Sequence, residues 1–333
     1  MHINELTNEK RQQLINTRDR YDSWRNVRRD ARRRYVGTMG WRGEYLTHRI
    51  SQSEKSLGKR SPRTEAIYDA FVKGQAQNKE HLDGLTKRLD EMAPVNQAMR
   101  LGRLSHTASR ILRACDDHDL LGEHLIVVGT NALLVYEMAA GVQVQGDLLA
   151  TEDLDFLYDA RRHMSFLVTR QLNNHGFVGI LQEADPSFVP VRPRWFRAHN
   201  RDGYLVDLIR PELKDIFKDK LPPALTELSE DLEAAAIFGL AWLISSPKME
   251  EVVIDEKGYP VRMVAIDPRA FALHKAWLST KGDRDHLKRR RDMEQAQAAA
   301  HIAVKYLQLP FDDQVLSAFP KQLRAQAAMI CKN

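Results

Sequence analysis

The sequence has little cysteine and no apolar stretch long enough for a membrane. Its two cysteines, Cys115 and Cys331, lie far apart in helix-like apolar segments, which favours reduced thiols over a disulfide framework. No apolar run approaches the roughly 20 residues that a bilayer requires, so no membrane partner is expected. The first residues, MHINELTNEKRQQL, show neither an apolar core nor a small-residue cleavage site, and we expect a cytoplasmic protein.

Several short motifs of well-known enzyme classes are also missing. The 12 histidines form no HxxxH pair and the cysteines no CxxC pair, which argues against a zinc site. The sequence contains no Walker A, GxGxxG or GxSxG motif. With 333 residues, 43% of them hydrophobic and 29% charged, the chain is long enough for two domains or one elaborated core.

Positive charge is concentrated near the N-terminus. Residues 1–65 contain 16 Lys and Arg against 8 Asp and Glu, whereas the remaining residues contain 34 against 37. Arginines bind phosphate oxygens and flat rings stack on bases, so this region is a candidate for docking an anionic acceptor. The candidate acceptor-binding residues are Trp24, Arg25, Arg28, Arg29, Arg32 and Arg33. A solvated helix face, or a face that pairs with an acidic protein, would show the same pattern.

The hydrophobic pattern divides the chain into three regions of an α+β protein. Residues 1–118 are predicted as a helical, Arg-rich region, residues 119–266 as an α/β core, and residues 267–333 as a helical C-terminal region. In the first region we expect helices over about 6–35, 63–92 and 105–116. The segment GEYLTHRI between the first two is predicted as a short helix.

Short apolar segments predict the elements of the core. The predicted strands are 125–128, 153–158, 177–181, 194–199, 204–209, and a hairpin of 249–255 with 259–266. The predicted helices are 131–140, 161–173 and 267–278, the last opening on Asp267 followed by Pro268.

Acidic residues interrupt two of these apolar strands. In ATEDLDFLYD, Asp153 and Asp155 would share one face of a strand about 6.6 Å apart, while Leu154 points to the other face. Two carboxylates held together suit a hard cation such as Mg²⁺. A third acid, Asp207 in GYLVDLI, would be costly to bury without a partner. Each acid alone is also typical of a carboxylate bonded to a backbone amide or an arginine, but the three together favour a metal site.

A glycine follows the first apolar strand of the core, HLIVV. Gly129 permits a close backbone approach, and the helix that follows offers free N–H groups to a phosphate. The order of strand, Gly129-Thr130, helix, Asp153-Leu154-Asp155 and a later Asp207 resembles the nucleotidyltransferases of the DNA polymerase β superfamily. VVGTNALLVYEMAAGV and TEDLDFL are most similar to the bacterial branch of abortive-infection and toxin-type enzymes. A similarity to a little-characterised bacterial nucleotidyltransferase-fold family extends to EYLTHRI and KSLGKRSPRTEAIYDAF.

The resemblance implies a nucleotidyltransferase-like mixed sheet and a metal-dependent transfer of a nucleoside monophosphate from an NTP to a hydroxyl. By this resemblance, Asp153 and Asp155 hold two Mg²⁺ or Mn²⁺ ions, and Asp207 completes one site beside the attacking hydroxyl. Gly129 and Thr130 would line the triphosphate. Thr130 departs from the usual Gly or Ser, and the 23 residues between Gly129 and Asp153 exceed the spacing of the polymerase-like members.

The C-terminal region adds candidate cations. Lys275 and Arg291 resemble the triphosphate-binding and structural positions of the toxin-type enzymes, respectively. Lys275 also has apolar sequence neighbours, where a lone lysine would need an anion. The acceptor implied is RNA, such as tRNA, or a protein, in a toxin or phage-defence setting. The competing hypothesis is a non-catalytic nucleic-acid-binding module that keeps the nucleotidyltransferase fold.

Overall fold

The chain forms two compact units in the computed structural model, which describes residues 3–162, 176–212, 224–226, 228, 230–237 and 239–330. The core unit comprises Met1–Arg11, Gly102–Lys257 and Val261–Asn333. The N-terminal unit comprises Gln12–Leu101 and Gly258–Pro260. The division of the sequence at residues 118 and 266 stays a prediction.

An eight-stranded mixed sheet forms the centre of the core unit. The described strands, in chain order, are β1 (Ile3–Glu5), β2 (Thr38–Arg42), β3 (Tyr45–Ile50), β4 (Ser53–Lys59), β5 (Leu125–Val128), β6 (Val142–Val144), β7 (Asp153–Tyr158), β8 (Val189–Pro190), β9 (Arg197–His199), β10 (Leu205–Pro211), β11 (Ala235–Ile237), β12 (Lys248–Ile254) and β13 (Pro260–Ile266). The sheet order is β12-β13-β5-β7-β10-β9-β8, and β11 pairs with β10. A mixed sheet of this kind confirms the predicted α+β class.

The described helices belong to both units. They are α1 (Asn8–Ala31), α2 (Pro62–Ala98), α3 (His106–Asp117), α4 (Ala132–Ala140), α5 (Gly176–Ala184), α6 (Ala241–Ser245), α7 (Pro268–Ser279), α8 (His286–His301), α9 (Asp313–Ser317), α10 (Lys321–Arg324) and α11 (Ala327–Ile330). Within the core unit, α7 packs along α8. The buried Tyr136 of α4 donates its hydroxyl to the carbonyl of Ile266 at 2.9 Å, which joins α4 to β13.

Most of the predicted core elements are confirmed. The apolar strand β5 is fully buried, and α4 ends at Gly141 with a φ of +65°, as the glycine predicts. The hairpin strands β12 and β13 are neighbours in the sheet. Helix α7 begins after Asp267, whose carboxylate accepts a hydrogen bond from the backbone N–H of Arg269 at 2.7 Å. The predicted helix over 161–173 lies mostly outside the described residues.

The prediction of a strand over 177–181 is wrong, because this segment belongs to helix α5. Its buried residues, Phe177, Ile180 and Leu181, follow helical spacing. Asp231 satisfies the free N–H groups at the start of the helix, accepting from Phe177 at 2.7 Å and from Val178 at 3.1 Å. An apolar run of five residues fits a buried strand or a buried helix, and here a distant carboxylate stabilises the helix.

The N-terminal unit consists of two long helices and a small antiparallel sheet of order β2-β3-β4. Helices α1 and α2 confirm the predicted helices, but the predicted short helix in GEYLTHRI is wrong, because Tyr45–Ile50 forms the central strand β3. Gly37 and Gly43 have φ values of +81° and +57°, which turn the chain into and out of β2. Among the described residues, no helix is both long and apolar enough to cross a membrane.

Candidate active site

The three predicted acids lie on two adjacent parallel strands of the core unit. Strands β7 and β10 pair with Asp155 opposite Asp207 and with Asp153 opposite Leu205. On its other side β7 pairs with β5, where Val128 lies opposite Asp155. Because β7 lies between β5 and β10 in the sheet, Asp155 lies between the end of β5 and the third acid, Asp207.

Gly129 lies directly against the carboxylate of Asp155. A Cβ atom added at Gly129 would lie 2.1 Å from Oδ2 of Asp155, a distance that no real Cβ contact has. Gly129 also has a φ of +68°, which side chains other than glycine rarely adopt. The glycine that follows β5 thus serves both the turn into α4 and the position of the neighbouring carboxylate.

The first acid of the pair is held by its surroundings. One oxygen of the Asp153 carboxylate accepts a short hydrogen bond from the hydroxyl of Thr151. Its backbone carbonyl accepts from Nδ2 of Asn131 at 2.8 Å and from the hydroxyl of Tyr204 at 3.3 Å. These contacts fasten the start of β7 to the first residue before α4 and to the segment that leads into β10.

Asp155 is the electrostatically strained member of the pair. Its pKa is raised to about 7, first because burial disfavours the charged form, and then because the carboxylates of Asp153 and Asp207 repel it. The positive charges of Lys275 and Arg197 oppose this shift only in part. A carboxylate in such surroundings is stabilised by a bound cation, so the donor set of Asp153 and Asp155 fits a divalent metal.

The third acid already has a partner in the structure. Asp207 is 9% exposed, and its two oxygens accept from Nε and Nη2 of Arg197 at 2.6 and 2.5 Å. Among the residues that the structure describes, no group of three or more His, Cys, Asp or Glu side chains is arranged to hold a metal ion. The predicted site therefore brings the three acids onto neighbouring strands, and within the described part of the chain Asp207 is the one of the three that forms an ion pair with an arginine.

A cavity of about 110 Å³ opens beside the two acids. It is lined by Gly129, Thr130, Thr151, Asp153, Asp155, Lys275, Arg284, Lys288, Arg291, Asp292 and Gln295. Strand β7 supplies the acids Asp153 and Asp155 to this lining, whereas α7, α8 and the loop between them supply four cations and the carboxylate of Asp292. This volume accommodates a group the size of a phosphate, so a larger ligand would extend out of the cavity.

Two of the four cations of this cavity bind one buried carboxylate, Asp292. Lys275 donates a hydrogen bond to Oδ1 of Asp292 at 2.9 Å, and Nε of Arg284 donates a short hydrogen bond to Oδ2. Burial opposes ionisation of Asp292, but the charge of Lys275 and hydrogen bonds from Arg284 and Lys275 hold its pKa below the usual value. The sequence predicted that Lys275 would need an anion, and the structure shows that Asp292 supplies one.

Arg291 and Thr130 also lie at the cavity. Arg291 donates a short hydrogen bond to the carbonyl of Ala150, and its role stays a prediction. Gln295 donates to the hydroxyl of Thr130 at 3.2 Å and to the carbonyl of Leu148 at 2.7 Å, which connects α8 to the segment after β5.

The comparison with known families agrees with this geometry. Residues 106–320, about two thirds of the chain, match the model of a nucleotidyltransferase family. The chain belongs to this family. No curated protein and no solved structure matches the chain significantly. The resemblance to the nucleotidyltransferase superfamily is thus confirmed, whereas the abortive-infection and toxin-type branch stays a prediction.

The matched span of this nucleotidyltransferase contains residues that sequence reasoning did not select as site residues. Thr151, Lys288, Asp292 and Gln295 line the cavity, yet only the Asp-x-Asp pattern and the basic run drew attention to it. A usable signal existed on α8, because positions 288, 291, 292 and 295 follow the spacing of a single helix face.

The candidate acceptor-binding residues lie in the N-terminal unit, outside the family match. Trp24 stacks on Tyr21 at a centroid distance of 5.7 Å, and the guanidinium of Arg28 lies 4.7 Å from its ring. Its Nε1 donates to the hydroxyl of Thr86 at 3.1 Å. Trp24 is therefore partly covered by Tyr21 and Arg28, while Arg29, Arg32 and Arg33 are exposed and Arg25 is partly buried.

Proposed function

We propose that this nucleotidyltransferase moves a nucleoside monophosphate from an NTP to an acceptor hydroxyl and releases pyrophosphate. The observation that carries the proposal is the juxtaposition of Asp153 and Asp155 with Lys275, Arg284 and Arg291 around one cavity. Carboxylates on one side suit metal ions, and cations on the other suit phosphate oxygens. Both requirements of phosphoryl chemistry, charge neutralisation and positioning, are then met by neighbouring side chains.

The donor set supports one divalent ion directly. Asp153 and Asp155 would hold Mg²⁺ or Mn²⁺, which would stabilise negative charge on the phosphate oxygens. A second ion would require Asp207, and therefore competition with the guanidinium of Arg197. We propose that two ions bind when the nucleotide is present, as the resemblance implies. The ion pair between Arg197 and Asp207 would then have to break.

The remaining residues have defined tasks in this proposal. Gly129, Thr130 and the N-terminus of α4 would line the phosphates, and Lys275 would contact them from α7. In the reaction, the hydroxyl oxygen bonds to the α-phosphorus, the bond from that phosphorus to the bridging oxygen breaks, and pyrophosphate leaves. Asp207 would accept the hydroxyl hydrogen, since each carboxylate oxygen has a second lone pair besides the one that Arg197 occupies in the structure and that a metal ion would take in its place.

Label transfer tests this proposal. The full chain is incubated with each α-labelled NTP, Mg²⁺ or Mn²⁺, and total RNA or a protein extract as acceptor. We expect label on one acceptor class with the wild type, and a loss of at least about a hundredfold with Asp153→Asn or Asp155→Asn. Glu152→Gln is the matched control. Glu152 is exposed and directly precedes Asp153, and its substitution removes the same negative charge. Equal labelling by Asp155→Asn and the wild type would contradict the proposal.

A second candidate is a non-catalytic nucleic-acid-binding module that keeps the fold. The ion pairs Arg197–Asp207 and Lys275–Asp292 favour it, because they neutralise within the protein two groups that catalysis would use. Under this alternative no NTP is turned over with any metal, while RNA binding persists. A toxin or phage-defence role for the enzyme predicts that induced expression slows growth with the wild type but not with Asp155→Asn.

A further inference from the structure

The N-terminal unit carries a basic surface that the proposed active site does not use. Residues 25–63 contain 12 Lys and Arg against 3 Asp and Glu, whereas residues 64–101 contain 5 against 6. The positive charge of this unit is therefore confined to the end of α1, the small sheet and the start of α2.

The small sheet arranges part of this charge on one face. Its register places Arg42 opposite Tyr45 and Tyr45 opposite Lys59, and it places Arg49 opposite Glu54. Because residues that pair across strands share a face, Arg42, Tyr45, Arg49 and Lys59 lie on the same side of the sheet. These four residues define the basic sheet face.

The opposite side of the sheet is occupied. Trp41 packs on Tyr68 of α2 with 6.1 Å between ring centroids, and His48 packs on Phe71 with 5.3 Å. Leu46, on the same side, is completely buried. The sheet therefore presents its apolar side to α2 and the basic sheet face to solvent.

Acidic neighbours only partly neutralise this face. Oε1 of Glu54 lies 3.3 Å from Nε of Arg42, and Oε2 of Glu54 lies 3.7 Å from Nε of Arg49. The two arginine side chains are 69% and 59% exposed. Exposed ion pairs of this kind contribute little free energy and are screened by salt. A ligand with several phosphates can therefore compete for these arginines.

The face also offers a ring for stacking. Tyr45 is 46% exposed, and the ammonium of Lys59 lies 5.7 Å from its ring centroid. Between the basic rows lie Gly40, which has no side chain, and the hydroxyl side chains of Thr47 and Ser56. Trp24, the stacking residue that the sequence suggested, is less exposed and already stacks on Tyr21, so Tyr45 is the better platform for a base.

We propose that the basic sheet face, with the exposed arginines at the end of α1, docks a folded RNA. Ten of the 12 basic residues are arginines, whose planar forks bind phosphates in pairs of hydrogen bonds. An acidic protein is disfavoured because Tyr45 is a single ring on this face, and Gly40, Thr47 and Ser56 add no apolar surface around it. The choice of RNA over DNA rests on the proposed function, since RNA carries an acceptor hydroxyl on every nucleotide.

Binding of labelled tRNA to the full chain between 50 and 200 mM salt tests this inference. We expect Arg42→Ala/Arg49→Ala to weaken binding about tenfold at low salt and to reduce the slope of log K against log salt by about one to two. Arg29→Glu/Arg33→Glu should act in the same direction. Lys79→Glu/Lys87→Glu is the matched control on exposed positions of α2, and it should change affinity less than about threefold.

Other outcomes would overturn the inference. These are an absence of tRNA binding by the wild type at 50 mM salt, an equal loss in the α2 control, or an unchanged salt slope in the sheet variant. Equal affinity for duplex DNA would reject RNA as the occupant, and equal competition by polyglutamate would indicate an acidic protein instead. Asp155→Asn should bind tRNA as the wild type does, so a failure of docking and a failure of nucleotidyl transfer are distinguished.

Discussion

Arg197 binds Asp207 through both carboxylate oxygens, and the two residues lie directly opposite each other on β9 and β10. The register of one antiparallel pair therefore decides whether the third acid of the site faces a guanidinium or a metal ion. Since Asp207 also lies beside Asp155 on the parallel strand β7, Arg197 controls the charge that the metal-binding pair experiences.

Removal of the Arg197 side chain should lower the stability of the metal-free protein and raise its affinity for a divalent metal. In Arg197→Ala the little-exposed Asp207 loses its partner, so the free energy of unfolding without metal should fall by about 1–3 kcal/mol. The unpaired carboxylate should then strengthen Mn²⁺ binding, which isothermal titration calorimetry and the Mn²⁺-dependent rise in Tm would measure. Arg194→Ala, at an exposed position of the preceding segment, is the control. An unchanged Mn²⁺ response in Arg197→Ala would show that Asp207 does not contribute to metal binding.

Gly129→Ala should damage the site more than its backbone strain explains. The new Cβ would meet Oδ2 of Asp155, and the positive φ adds about 1–2 kcal/mol. Gly203→Ala is a matched control, because Gly203 has a φ of +82° but nothing within 4 Å of an added Cβ. We expect both variants to lose stability in urea unfolding, and only Gly129→Ala to lose the Tm increase caused by Mn²⁺. Retention of that increase would contradict the assigned contact.

The raised pKa of Asp155 predicts that the metal-free protein loses stability as pH rises. Between its ordinary value of 3.8 and about 7, the folded chain holds a proton that the unfolded chain has released. Stability from this group is therefore complete below about pH 4 and declines toward pH 7, by at most about 1.4 kcal/mol per pH unit. The buried Glu137, with a pKa of about 7, adds a slope of the same sign.

The contribution of Asp155 is isolated by comparing variants. The difference in unfolding free energy between the wild type and Asp155→Asn should change between pH 4 and 8, because Glu137 is present in both. Mg²⁺ at pH 8 should stabilise the wild type and leave Asp155→Asn unchanged. A difference that is independent of pH would show that the carboxyl of Asp155 titrates normally.

The sequence alone was sufficient to predict that Asp153 and Asp155 share one face of a strand and that Gly129 follows the strand β5. Alternation within an apolar segment places Asp153 and Asp155 on one face whatever the rest of the fold does. The partner of Asp207 was missed, although both strands and the turn over residues 200–203 were predicted. A hairpin centred on Asp202 places residues 197 and 207 opposite each other, so Arg197 could have been found from the predicted turn.

Other features required information that is distant in sequence. The segment Tyr45–Ile50 contains β-favouring Tyr, Thr and Ile, but only its packing on α2 distinguishes a strand from a short helix. Helix α5 depends on Asp231, 54 residues after Phe177. Lys275 was recognised as needing an anion, but the choice between Asp292 and a phosphate depends on how α8 lies along α7.

Asp292 occupies the two cations, Lys275 and Arg284, that would otherwise bind a phosphate group, so its substitution should free them. In Asp292→Asn, Lys275 and Arg284 lose a carboxylate that is only 4% exposed, and unfolding at pH 7 should become easier by about 2–4 kcal/mol. The pKa of Asp292 is lowered in the folded protein, so its stabilising effect is present above about pH 4 and is lost as pH falls through the lowered value. The difference between wild type and variant should therefore be constant from pH 5 to 8 and shrink only in acid.

The same substitution should increase the response to phosphate ligands. With Lys275 and Arg284 released from Asp292, pyrophosphate should raise the Tm of Asp292→Asn more than that of the wild type. Asp283→Asn is the matched control, because Asp283 is an exposed carboxylate in the same loop between α7 and α8. Differential scanning fluorimetry over a pyrophosphate series measures the three proteins together. If pyrophosphate shifts all three equally, these two cations do not bind the ligand, and the triphosphate role of Lys275 is wrong.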